Sequence, residues 1–216
     1  MSLLKDKTIK DFSDVLASSE PTPGGGSTAA LSGLLAASLT MMVFNLSVGK
    51  KSYEALDEAV KAEMTADFEA VKNLQKDLLD LTDEDTKAFN SFMQTMKLPK
   101  ITEEEKLKRS ESMQAASEYA LAIPLTVAEK CLYILKHQAV IAEYGNKNAL
   151  SDVGVGALMA LSGLEGAALN VKINLPGIMN EALKQDARTK IKAYSEEAAR
   201  LSSETLKIVN RRIEKE

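Results

Sequence analysis

The chain has 216 residues, 45% hydrophobic and 27% charged, with a net charge of −4, which excludes a globally disordered protein and fits one well-cored domain over 1–216. Phosphate backbones need a basic face, and no basic cluster is visible in the sequence, so nucleic acid is not expected as a partner, whereas an anionic small molecule remains open. With no Trp, five Phe and five Tyr, the core must be built mainly from Ala, Leu, Val, Ile and nine Met. Such a core suits closely packed helices, and the expected fold is an all-α, single-domain bundle of long, partly kinked helices.

Charged residues Lys5, Asp6, Lys7, Lys10 and Asp11 interrupt any apolar core of a secretory leader. The only cysteine, Cys131, sits in an apolar run and reads as a buried, inert thiol with no intramolecular disulfide. A cytoplasmic protein is expected. The first helix is placed at 8–18, capped by Thr8, with Ile9, Phe12, Val15 and Leu16 on one face.

Next comes Pro21-Thr22-Pro23-Gly24-Gly25-Gly26-Ser27, followed by an uncharged, small-residue segment over 27–49. Prolines fix the approach, glycines admit close contact, and Ser27 can serve as an N-cap, so backbone N–H groups could converge on an anion or carbonyl oxygen. The same residues also suit a plain turn before a helix. The motif lacks the Lys-Ser/Thr pair and preceding strand of a phosphate-binding loop. The segment at 27–49 is long enough to cross a bilayer, but Ser32, Ser38, Thr40, Asn45 and Ser47 dilute it, and a buried core helix without membrane insertion is expected.

Residues 53–96 read as one long helix or two, with Thr82 able to cap a restart and Asp83, Glu84 and Asp85 in the first turn thereafter. Thr102-Glu103-Glu104-Glu105 forms a capping box for another helix, which Pro124 should kink or interrupt before it resumes toward Gly145. Residues 150–171 are rich in Gly and Ala at spacings of three and four, the pattern of closely approaching backbones. Ala187, Ile191, Tyr194, Ala198, Leu201, Thr205 and Ile208 give the last helix a heptad-like seam, for packing in cis or for a dimer.

Beyond the glycine turn, three polar patches stand out. Asp85-Thr86-Lys87-Ala88-Phe89 sets a carboxylate one turn from a ring. Gly145-Asn146-Lys147-Asn148-Ala149-Leu150-Ser151-Asp152 is dense in hydrogen-bonding groups at a helix junction, part of which serves as caps. Asn170 and Asn174 lie four residues apart, and an Asn inside a helix should bond to another helix or a ligand. His137 is the only histidine and has no second His or Cys at ligand spacing, so no metal is expected.

Together the four patches resemble the cyclodeaminase domain of formiminotransferase-cyclodeaminase and its stand-alone relatives, the bacterial methenyltetrahydrofolate cyclohydrolases. The resemblance implies an all-helical homodimer acting on a tetrahydrofolate derivative, by ammonia loss with ring closure or by hydrolysis of the methenyl ring. It makes Asp85 and Asp152 the candidates for proton transfer or for recognition of the pterin's N–H edge. The substrate-binding candidates are Pro23, Gly24, Gly25, Gly26, Ser27, Asn146, Lys147, Asn148, Asn170 and Asn174. The alternative is a non-catalytic helical dimer that binds folate or another protein.

Overall fold

The structure, a computed structural model, describes residues 3–214. Among these the chain forms eight α-helices joined by short turns, with no β-strand.

Helix α1 (Ile9–Leu16) starts where Thr8 accepts a hydrogen bond from the Asp11 amide, as the sequence indicates. Its apolar residues are not buried within this chain, and Ile9 is almost fully exposed. Helix α2 (Gly25–Ser47) is the central element. It packs against α4 (Glu58–Met96), α5 (Glu103–Lys136) and α7 (Leu150–Asn174), while a short α3 (Lys51–Glu54) leads out of it. Helix α6 (Ala139–Tyr144) precedes α7, and α8 (Glu181–Glu214) closes the bundle on α7, α5 and α6. The seam of α8 therefore packs in cis, burying Ala187, Ile191, Ala198 and Thr205.

Small residues set the closest approaches. A Cβ added at Gly33 of α2 would lie 2.6 Å from the Cys131 Sγ of α5, and one added at Gly163 of α7 would lie 2.9 Å from the Ala29 carbonyl and 3.1 Å from the Gly33 nitrogen. Three helices thus cross at a point where only glycine fits, which close-packed interiors reward with dispersion contacts over the whole crossing. Burial there pushes the Cys131 thiol up to about 12, in keeping with an inert core residue. The antiparallel course of α2 and α7 is marked by Ser32, whose hydroxyl donates to the Met159 carbonyl at 2.8 Å.

Of the two readings of residues 53–96 the single long helix holds, and Pro124 does not interrupt its helix. Helix α4 runs unbroken through Thr82, whose hydroxyl bonds back to the Leu78 carbonyl at 3.0 Å instead of capping a new helix. The following Asp83 is buried and accepts from the Leu4 amide at 2.5 Å, tying the start of the chain to α4. Helix α5 likewise continues through Pro124, and the break falls later, at His137 and Gln138. Proline lacks the N–H that would bond to the Ala120 carbonyl, and the side chain of Asn174 on α7 supplies that donor at 2.8 Å. Packing thus replaces the missing helical bond.

Candidate active site

The glycine turn opens a cleft of about 470 Å³ between α2, α4, α5 and the end of α7, with Phe89, Phe92 and Ile173 as its apolar wall. Helix α2 begins at Gly25, and Gly24 is the N-cap, so Ser27 sits inside the first turn. Its duty differs from the expected one. The Ser27 backbone N–H donates to Asp85 Oδ2 at 2.9 Å, and its hydroxyl donates to the same oxygen at 3.2 Å. The anion held at the N-terminus of α2 is therefore the protein's own carboxylate, in the place where the helix dipole favours negative charge.

Gly26 makes this possible. A Cβ there would collide with the Asp85 carboxyl group, and even the farther Oδ2 would lie only 2.7 Å from it. At Gly25 a Cβ would come to 3.3 Å from Asn170 Nδ2, so the turn, Asp85 and Asn170 form one contact set. Asn170 donates to the Gly166 carbonyl at 2.8 Å and lines the cleft with Asn174. Pro23 is buried behind the turn, after a cis Thr22-Pro23 peptide bond.

Burial raises the Asp85 carboxyl above its ordinary value of 3.8, and the two Ser27 hydrogen bonds partly oppose that rise. Oδ2 is held by Ser27, Oδ1 lies against Gly26 with no hydrogen bond among the described residues, and the carboxyl group lines the cleft. A carboxyl group so placed can accept a proton from one bound atom and return it to another. Among the described residues no three His, Cys, Asp or Glu side chains converge as metal ligands.

A sequence model of the Formiminotransferase-cyclodeaminase family matches residues 8–193. The chain belongs to the formiminotransferase-cyclodeaminase family. A methenyltetrahydrofolate cyclohydrolase from Methylorubrum extorquens is 36% identical over 208 residues, covering 96% of this chain and 98% of that protein. The formimidoyltransferase-cyclodeaminase of Gallus gallus is 34% identical over 97% of this chain, which spans only 38% of that longer protein. A crystal structure of formiminotetrahydrofolate cyclodeaminase from Thermotoga maritima superposes with a TM-score of 0.82 at 28% identity, covering 96% of this chain and 98% of that one.

In this family member the fold does not bring all the sequence candidates together. Asn146 donates from its backbone to the Ser47 hydroxyl at 2.8 Å and from its amide to the Leu46 carbonyl at 2.9 Å, closing the C-terminal end of α2. Its Oδ1 accepts from the Asn148 amide at 3.1 Å. Lys147 and Asn148 lie exposed in the 3-10 turn Lys147–Ala149, and Asp152 lies in the first turn of α7. Helix α2 has 23 residues, so roughly 30 Å of helix separates this patch from Asp85. Within one chain, then, Asn146, Lys147, Asn148 and Asp152 stand apart from the glycine turn. His137 is paired with Asp67 at 2.6 Å, also away from the cleft.

Sequence reasoning missed Ser117 and Ala120 of α5, which line the cleft. Their only sequence signal was Pro124, four residues after Ala120, which marks a carbonyl needing an outside donor.

Proposed function

We propose that this protein is a folate one-carbon enzyme and that Asp85 carries the proton transfers at the one-carbon bridge of tetrahydrofolate. The observation behind this reading is the Asp85 carboxyl, which lines the cleft, is raised by burial and is fixed on one oxygen by Ser27. The relatives are named for reactions at that bridge, and the one matched nearly end to end at 36% identity is named a methenyltetrahydrofolate cyclohydrolase.

In the hydrolytic direction water adds to the electron-poor methenyl carbon and the Asp85 carboxylate takes its proton. The tetrahedral adduct then collapses: the carbon–N5 bond breaks, its hydroxyl becomes the formyl carbonyl, and N5 receives a proton through the same carboxyl group. One proton is released overall. Ring closure starts from the protonated formimino group: N10 attacks its carbon, the carboxyl group takes the N10 proton and returns it to the resulting amine, and the carbon–nitrogen bond to that amine breaks to release ammonia and the methenyl cation. Asn170 and Asn174 supply amide groups to orient the heterocycle, and Phe89 and Phe92 give it an apolar wall. This second reaction is favoured by the likeness to the Thermotoga maritima cyclodeaminase.

The homodimer and the cytoplasmic setting belong to the same reading. Helix α2 and the segment Lys147–Gly177 are each long and apolar enough to cross a membrane, with 39% and 50% of their apolar windows buried. Leu35, Met42 and Leu46 on α2 and Val155, Leu158 and Leu169 on α7 remain exposed. A second copy seated on this stripe would bury these apolar side chains.

The test is absorbance of methenyltetrahydrofolate with purified protein. Loss of the methenyl signal above the buffer rate identifies a cyclohydrolase, and gain of that signal from the formimino adduct with ammonia release identifies a cyclodeaminase. Tight folate binding with neither reaction would establish the non-catalytic dimer instead.

A further inference from the structure

Next to the candidate site lies a second cleft of about 480 Å³, and the two share Phe92, Ser117 and Gly177 as common walls. Their chemistry differs. The first is lined by a carboxylate and two side-chain amides, the second by Lys100, Lys106 and Arg109, with no carboxylate among its lining residues. For a chain of net charge −4 this is a local reversal of sign.

The cations are positioned by one helix face and the loop before it. Lys106, Arg109, Met113 and Ser117 recur at three- and four-residue spacing along α5, so one face runs from the second cleft into the first. Arg109 donates to the Met96 carbonyl at 3.4 Å, which anchors the guanidinium, while its buried Nε has no hydrogen-bond partner. Lys106 is paired with Glu103 at 2.6 Å, and Lys100 has no ion pair among the described residues. One of the three cations is thus matched by Glu103, and Lys100 and Arg109 have no ion pair among the described residues. No cluster shows in the sequence because Glu103, Glu104 and Glu105 stand between Lys100 and Lys106. Of these acids Glu103 pairs with Lys106 and Glu105 turns back to the Ile101 and Thr102 amides, and none of the three lines the groove.

The geometry points to a subsite for the anionic end of the substrate: Lys100, Lys106 and Arg109 take the carboxylates of the tail whose heterocycle sits at Asp85. This inference rests on the folate reading above. The distance along α5 from Ala120 to Lys106 is roughly 20 Å by helical rise, a span that suits an extended molecule with a bicyclic ring at one end and an aminobenzoyl-glutamate at the other. Charge-assisted bonds to carboxylates supply affinity, and the shared apolar wall at Phe92 suits the aromatic linker between the two ends.

The test compares equilibrium binding of tetrahydrofolate and of tetrahydropteroate, which lacks the glutamate, under anaerobic conditions. Wild type should bind tetrahydrofolate about tenfold or more tightly than tetrahydropteroate, with the preference shrinking as salt is raised. The Lys100→Gln/Lys106→Gln variant alters two exposed side chains and should keep its helical content. In it, and in Arg109→Gln, the preference should fall toward unity because only the tetrahydrofolate affinity drops. Equal affinity of wild type for the two compounds would overturn the subsite and leave the folate reading standing, as would a preference that survives in both variants. Binding of neither compound would remove the folate reading and this inference with it.

Discussion

Asp85 occupies the space that a side chain at position 26 would need. The triple glycine is therefore a socket for a carboxylate before it is a cradle for a ligand, and the Ser27 amide that could have met substrate is already engaged. Gly26→Ala should push the Asp85 carboxyl off Ser27 and lower turnover by roughly 10²-fold or more, with circular dichroism near wild type. At Gly24 the nearest atom to an added Cβ is the Pro21 carbonyl at 4.0 Å. Gly24→Ala should keep most of the activity, and the contrast within one motif separates the socket from a general need for glycine.

Asp85 also leaves a signature in stability. Its folded value is raised above the ordinary 3.8, so the folded chain holds that proton more tightly than the unfolded one. The group's contribution to stability is therefore greatest at low pH and is lost as pH rises through the interval between the unfolded and folded values. Asp85→Asn removes the ionisation and can still accept from Ser27. Denaturant midpoints should show Asp85→Asn gaining relative to wild type between pH 4 and pH 7; a relative loss over that range would mean that the carboxylate form is the favoured one.

Local signals were well read from sequence and long-range ones were not. The Thr8 cap, the box formed by Thr102 and Glu105, and the seam of α8 depend on residues within a turn or two of one another, and all are present. Thr82 could cap a restart and Pro124 carries a local signal for a kink or break, yet both helices run on through them. The Ser27–Asp85 pairing joins positions 58 residues apart, and no periodicity announces it. The four polar patches were legible as patches, but the antiparallel course of α2 and α7 sends the Asn146–Asp152 group to the far end of the bundle.

That placement makes a prediction about the second aspartate. Asp152→Asn should change turnover by no more than a few-fold, because Asp152 lies at the opposite end of α2 from the cleft. A loss comparable to that of Asp85→Asn would require a partner chain to carry Asp152 into the site.

The donor that replaces the missing Pro124 N–H can be tested by a double-mutant cycle. Asn174→Ala should cost about 1 kcal/mol, as the Ala120 carbonyl loses its donor. In a Pro124→Ala background residue 124 regains an N–H for that carbonyl, and the Asn174→Ala penalty should fall toward zero. Equal penalties in both backgrounds would show that Asn174 stabilises the fold in some other way.

The crossing of α2, α5 and α7 should be the most sensitive point of the core. Gly163→Ala meets the Ala29 carbonyl at 2.9 Å and the Gly33 nitrogen at 3.1 Å, backbone atoms that cannot rotate away. A loss of about 1–3 kcal/mol is expected, measured by urea unfolding. Gly154, with only Val209 and Leu206 side-chain atoms at 3.5 Å and beyond, should accept Ala at little cost.

The central claim is that Asp85 moves the proton at the one-carbon bridge, and the most direct measurement is turnover of methenyltetrahydrofolate by wild type and Asp85→Asn alongside tetrahydrofolate affinity for each. The prediction is wild-type turnover above the buffer rate, a fall of roughly 10²–10⁴-fold in the variant, and affinities within a few-fold of one another. An Asp85→Asn enzyme that turns over at the wild-type rate would contradict the account.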